Sequence, residues 1–140
     1  MVDLIYGMAK FANKSYGYGS KPKNFNKKIF INYLRKKFYI FECADKYYNL
    51  SNYLIKLNSK QIHYKINNIP IKRNIKYLEH FFEKKINNII KKFNIKILDV
   101  LYLHQNSLNI IKNKKVIKIL NKLKKKNLVR SLGVSIYYEN

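Results

Sequence analysis

Apolar residues fall along the chain in two patterns. Short runs rich in Ile, Val, Leu and Tyr are separated by longer stretches in which apolar side chains recur every three or four positions. The first pattern reads as strand and the second as amphipathic helix, and their alternation is that of βα units. Leu4-Ile5-Tyr6 is the first strand, followed by a loop with Gly7, Gly17 and Gly19 and a helix from about Asn26 to Lys37. Tyr39-Ile40-Phe41 is the second strand; Ser51 or Asn52 can cap a short helix reaching Leu57, and Ile62 to Ile66 is the third strand. Pro70 punctuates the next loop. The clearest helix follows, with Ile75, Leu78, Phe82, Ile86, Ile89 and Phe93 on one face and lysines on the other. Ile97 to Leu103 is nearly continuous in apolar residues, as strands covered on both faces of a parallel sheet are. Lys114 to Lys126 is again amphipathic through Val116, Ile117, Leu120 and Leu123, and Leu132-Gly133-Val134 supplies a fifth strand.

Parallel strands joined by helical crossovers can wind into an open doubly wound sheet or begin a closed barrel, and periodicity alone does not choose. A dinucleotide-binding GxGxxG after the first strand would favour the open sheet. Gly17-Tyr18-Gly19 lacks the third glycine and opens no helix directly, so that fingerprint is rejected.

Composition changes the picture little. A chain of 140 residues with 47% hydrophobic and 15% aromatic content has enough apolar surface for one folded domain and reads as a single unit over 1–140. The net charge of +23 invites a nucleic-acid reading. The lysines, however, are scattered from Lys10 to Lys126 among Asn, Ile and Tyr, as an A+T-rich coding sequence would place them, so coding bias is preferred over nucleic-acid binding. The single Cys43 excludes a disulfide framework and suits a reducing setting. No apolar run approaches the ~20 residues of a membrane helix, and Met1 to Lys10 does not read as a leader, so a soluble, cytoplasmic protein without a membrane partner is expected.

Four groups fall at or near the carboxyl ends of successive strands: Glu42 and Tyr47 after the second, Lys65 in the third, His104 after the fourth. That is where barrel and α/β active sites are assembled, and this spacing allows all four to converge. A tyrosine beside a lysine can serve as a general acid, because the ammonium favours phenolate, and a carboxylate would hold the lysine charged. Lys65 in an apolar strand needs such a partner, and Glu42 is the candidate. The remaining polar residues read more plainly. His63 is a packed or edge residue, His80 a surface one, Cys43 a small core side chain, and Asp99 a group satisfying backbone or a neighbouring helix end. No second ligand stands at metal spacing from His63.

These residues resemble the aldo/keto reductases. The stretch Phe41 to Asn49 is similar to the family's strand ending in an acid followed by its tyrosine, with Glu42 where the family has Asp. His63-Tyr64-Lys65-Ile66 resembles the strand carrying its lysine, Asp99 to His104 the strand delivering its histidine, and Arg130 to Ser135 the strand after. Gly7-Met8-Ala9-Lys10-Phe11 is similar to the loop under the nicotinamide. The resemblance implies an α/β fold, a partial TIM (β/α)8 barrel of about five parallel strands and four helices, since whole barrels of this type run to ~250 residues. It also implies NADPH or NADH as cofactor and a small carbonyl compound as substrate. Tyr47 would be the proton donor, Lys65 its activator, Glu42 the partner of Lys65, and His104 the orienter of the substrate oxygen. Gly7, Met8 and Ser135 would lie against the nicotinamide. A truncated and inactive reading frame is an expectation beside this one, as are self-association through open barrel edges and, as the alternative function, a basic non-catalytic protein contacting RNA.

Overall fold

The computed structural model describes residues 4–9, 26–45, 47, 61–104 and 108–135. They form five strands, β1 (Ile5–Gly7), β2 (Ile40–Ala44), β3 (Gln61–Ile66), β4 (Leu98–Leu103) and β5 (Val129–Val134), and four helices, α1 (Lys27–Lys37), α2 (Ile75–Phe93), α3 (Leu108–Ile111) and α4 (Lys114–Lys125). The strands make one sheet in sequence order, every neighbouring pair parallel. This is the expected partial barrel. The helix expected to end at Leu57 and the loop with Gly17 and Gly19 lie outside the described residues.

Each of the three longer helices opens on an asparagine. Asn26, Asn74 and Asn113 accept backbone N–H groups of the first turn that have no partner within the helix. Helix α2 closes on Asn94 in the left-handed conformation (φ 52°), whose N–H donates to the carbonyls of Ile90 and Lys91.

Strand alternation sorts the sheet into two faces. Register places Cys43, Tyr64, Leu101 and Leu132 side by side on one of them. That face, with Phe41 and Ile62, packs against Leu78, Phe82, Ile86, Ile89 and Phe93 of α2 and Val116, Ile119, Leu120 and Leu123 of α4. Burying each such side chain contributes about 1.5–3 kcal/mol, so this layer holds the half-barrel together. Two details correct the sequence reading. Ile75 and Ile117 are exposed, and Ile119 takes the core place expected of Ile117. Asp99 sits on the same face, buried; its Oδ2 accepts the Ile62 N–H (3.0 Å) and its Oδ1 pairs with Arg130 (2.9 Å). It therefore satisfies a neighbouring strand rather than a helix end. Lys122–Glu79 and Lys126–Glu83 link α4 to α2 across exposed surface, where ion pairs stabilise little.

The opposite face carries the polar groups. Glu42, His63, Val100 and Ser131 stand in one row, and Ala44, Lys65, Tyr102 and Gly133 in the next toward the carboxyl ends.

Candidate active site at the strand carboxyl ends

The residues just past the strands continue the hydrogen-bond ladder. Met8 N donates to Glu42 O (3.0 Å), Asp45 N to Lys65 O (3.1 Å), His104 N to Ile66 O (3.0 Å) and Ser135 N to Leu103 O (2.9 Å). Met8, His104 and Ser135, which follow β1, β4 and β5, are thus fixed by backbone at the carboxyl end of the sheet, a rigid support of the kind catalytic geometry needs.

Glu42 lies within β2, not after it as the sequence suggested, because the strand runs on to Ala44. Its register partner is His63, and Lys65 is two residues further along β3 on the same face. Lys65 Nζ lies 2.8 Å from Glu42 Oε1, so the longer glutamate side chain reaches the ammonium from inside the strand. The Lys65 side chain is 10% exposed and that of Glu42 28%, so the cation is the more deeply buried partner. Tyr47 N donates to Ala44 O (3.0 Å), closing a turn that brings its ring to 6.0 Å from Lys65 Nζ. Glu42, Lys65 and Tyr47 are therefore gathered together. Gly7 stands beside Glu42 in register, with nothing within 4 Å of where a Cβ would project. His104 follows β4 and Ser135 follows β5, one and two strands beyond Lys65.

A second polar cluster lies alongside. Asp45 accepts from Tyr64 Oη (3.3 Å), from the Asn67 backbone N–H (3.0 Å) and from Lys85 Nζ of α2 (2.5 Å). Burial, reinforced by the Asp45 carboxylate, pushes the Tyr64 phenol well above its ordinary value, so it stays protonated and donating. Burial likewise raises the Cys43 thiol and keeps it unreactive. His63 is buried, with Tyr102 Oη 3.5 Å from its Nδ1; burial lowers its pKa, against the opposing pull of Asp99 and Glu42. Asp45, Asn67 and Tyr102 had not been singled out in the sequence. The signal for two of them was alternation: 61, 63, 65 and 67 share a parity on β3, as 100 and 102 do on β4.

For a nicotinamide the donor set fits. Gly7 offers bare backbone for a flat ring, and the phenol, ammonium and serine hydroxyl stand at the same end of the sheet. Met8 is fully buried with its N–H committed to the ladder, so it shapes this turn rather than presenting a side chain to a ligand. Among the described residues no group of His, Cys, Asp and Glu could hold a metal ion. No described helix is long and apolar enough to cross a membrane. A cleft of about 450 Å³ along α2, lined by Tyr77, His80, Phe81, Lys84, Lys85 and Asn88, shares only Lys85 with these polar groups.

No protein-family model matches the chain, and no curated protein sequence does. Solved structures do. An enzyme from Pseudomonas aeruginosa assigned to the aldo-keto reductases superposes with a TM-score of 0.65 at 18% identity, covering 94% of this chain and 54% of its own. The holo form of an aldo-keto reductase from Bacillus halodurans gives 0.65 at 13% identity, with 95% and 45% covered. An aldo/keto reductase from Klebsiella pneumoniae in complex with NADP and acetate gives 0.59 at 13% identity, with 77% and 39% covered. The chain spans about half the length of the first of these structures and less of the others. Five parallel strands in sequence order, with helices on one face and polar groups at the carboxyl ends, thus reproduce roughly half of an aldo-keto reductase barrel, and that is the fold of this chain.

Proposed function

We propose that the chain is an aldo-keto reductase-type oxidoreductase domain portion, spanning 1–140, that reduces a small carbonyl compound with NADPH or NADH. The observation that carries the reading is the Glu42–Lys65 ion pair beneath the Tyr47 ring at the strand carboxyl ends. When bound, the cofactor supplies a hydride to the carbonyl carbon. The protein's part is proton transfer and positioning. Tyr47 Oη donates its proton to the carbonyl oxygen as charge develops there, and the Lys65 ammonium stabilises the phenolate left behind. Glu42 holds Lys65 charged and aimed, His104 orients the substrate oxygen, and Gly7 and Ser135 support and address the nicotinamide with Met8 shaping the turn. The buried lone thiol of Cys43 suits a reducing cytoplasm.

The test is fluorescence titration with NADPH at low and high salt on wild type and Tyr47→Phe. Saturable binding that survives salt, with reduction but not binding lost in the variant, supports the reading; absence of binding refutes it.

One observation favours a second reading, a basic non-catalytic protein contacting RNA. All five described carboxylates, Glu42, Asp45, Glu79, Glu83 and Asp99, are engaged in ion pairs, so the net charge of +23 is left without local acidic relief. Binding to RNA that collapses steeply with salt, without cofactor binding, would favour this alternative.

A further inference from the structure

We infer that Asn67 is a substrate-binding residue of this site, and that it selects an anionic carbonyl compound, a short oxo acid whose carboxylate accepts from the Asn67 side-chain amide. The inference rests on the reductase reading and adds to it the substrate's charge.

The first observation is geometric. Lys65 turns its carbonyl toward β2, where it accepts from Asp45 N (3.1 Å), and two residues on Asn67 turns its N–H the same way, donating to Asp45 Oδ2 (3.0 Å). The two-residue alternation of β3 therefore persists beyond its last paired residue. The Asn67 side chain falls on the face of Lys65, one step nearer the open end of the half-barrel. Ile66 is in register with Leu103, which sets Asn67 opposite His104. Asn67 is 4% exposed, and its Nδ2 is buried without a hydrogen-bond partner among the described residues. Buried donors are almost always satisfied, and an exception beside candidate catalytic groups points to a ligand atom that completes it.

The second observation is electrostatic. With the described carboxylates all in ion pairs and a net charge of +23, the chain as a whole attracts anions, and no described free carboxylate repels them. The charge of Lys65 is answered by Glu42 at 2.8 Å, so the amide of Asn67 is the donor left for a carboxylate at this point of β3. A neutral alcohol or ether oxygen could also accept from an amide, but it would gain nothing from that charge.

The experiment uses the whole chain and thermal melting, which needs no turnover. Pyruvate, its neutral near-isostere butanone, and acetate are titrated at matched ionic strength against wild type, Asn67→Leu, Asn67→Asp and Asn67→Gln. Pyruvate should raise the wild-type melting temperature saturably, with butanone and acetate giving less. Loss of a hydrogen bond to a charged group weakens the apparent pyruvate affinity by about ten- to a hundred-fold in Asn67→Leu. Asn67→Asp, which keeps an acceptor and loses the donor, should do at least as badly, while Asn67→Gln should recover part of the effect. Equal protection of wild type and Asn67→Leu, or none of wild type, overturns the inference. If Asn67→Leu does not fold, the contrast between the Asp and Gln variants decides in its place. NADPH titration on the same samples separates the two readings. Cofactor binding without pyruvate discrimination sinks the Asn67 assignment alone, whereas pyruvate discrimination without cofactor binding upholds the anion site and sinks the reductase.

Discussion

Removing one end of the Glu42–Lys65 pair should not cost the same as removing the other. In Glu42→Ala the Lys65 ammonium, 10% exposed, loses the carboxylate 2.8 Å away and is left charged in a poorly solvated place. Breaking a fully buried pair in this way costs about 3–5 kcal/mol. Glu42 is 28% exposed, so water entering the vacated space relieves part of that, and about 2–3 kcal/mol remains. In Lys65→Met the buried cation is gone, an unbranched apolar chain of similar length fills its path, and the more exposed Glu42 can rehydrate; the cost should be about 1 kcal/mol or less. Urea unfolding followed by far-ultraviolet circular dichroism reads the difference. With a slope of ~1–3 kcal/mol/M, Glu42→Ala should lower the midpoint by roughly 1 M or more and Lys65→Met by a fraction of that. On the proposed function both variants should also fail to reduce a carbonyl compound, so the asymmetry lies in stability alone. Equal midpoints, or a lower one for Lys65→Met, would refute the view that Lys65 is the buried and dependent partner.

Three further outcomes are expected. Burial lowers the His63 pKa, so on acidification the unfolded chain takes up that proton first; this part of the stability is present above about pH 6.5 and lost as pH falls through the folded value. Urea midpoints near pH 7.5 and near pH 5 should therefore differ less in His63→Gln than in wild type, and an unchanged difference would remove His63 from the account. A Cβ at Gly133 would stand 2.6 Å from two ring atoms of Tyr102, so Gly133→Ala should destabilise by about 1–3 kcal/mol, and Tyr102→Leu in the same chain should recover much of it; additive costs in a double-mutant cycle would contradict the clash. The described sheet ends at β1, flanked by the exposed Leu4 and Ile5, and at β5. Light scattering should find association beyond the monomer, and a monodisperse monomer would tell against the open-edge argument.

The strand order and the main helix were legible because each rests on a long repeat. Five apolar residues of α2, from Leu78 to Phe93, keep helical spacing and all are buried. Short or mixed elements were not legible. Leu108–Ile111 is a single turn, too brief to display a period, and Val129-Arg130-Ser131 reads as polar although it already pairs with β4. Glu42 was placed after its strand because a charged residue looks like a strand end; in a half-barrel it marks the polar face instead. Lys65 announced its need for a partner by standing in an apolar run. Alternation places Asn67 on the polar face with Lys65, but its importance lies in what its amide lacks, and only three-dimensional packing exposes that.

Asparagine marks the boundaries throughout this chain. It caps α1, α2 and α4 at Asn26, Asn74 and Asn113, and it occupies all three left-handed positions among the described non-glycine residues, Asn68, Asn94 and Asn127. Other proteins divide these tasks among serine, threonine, aspartate and glycine, whereas one small neutral amide can both accept at a helix start and tolerate positive φ. A lineage whose codons drift toward asparagine can thus lose most of its glycines and still mark where each helix begins and where the chain turns. The same economy has a cost: neutral caps bring no negative charge to the helix starts, and so the fold is retained while the excess of positive charge persists.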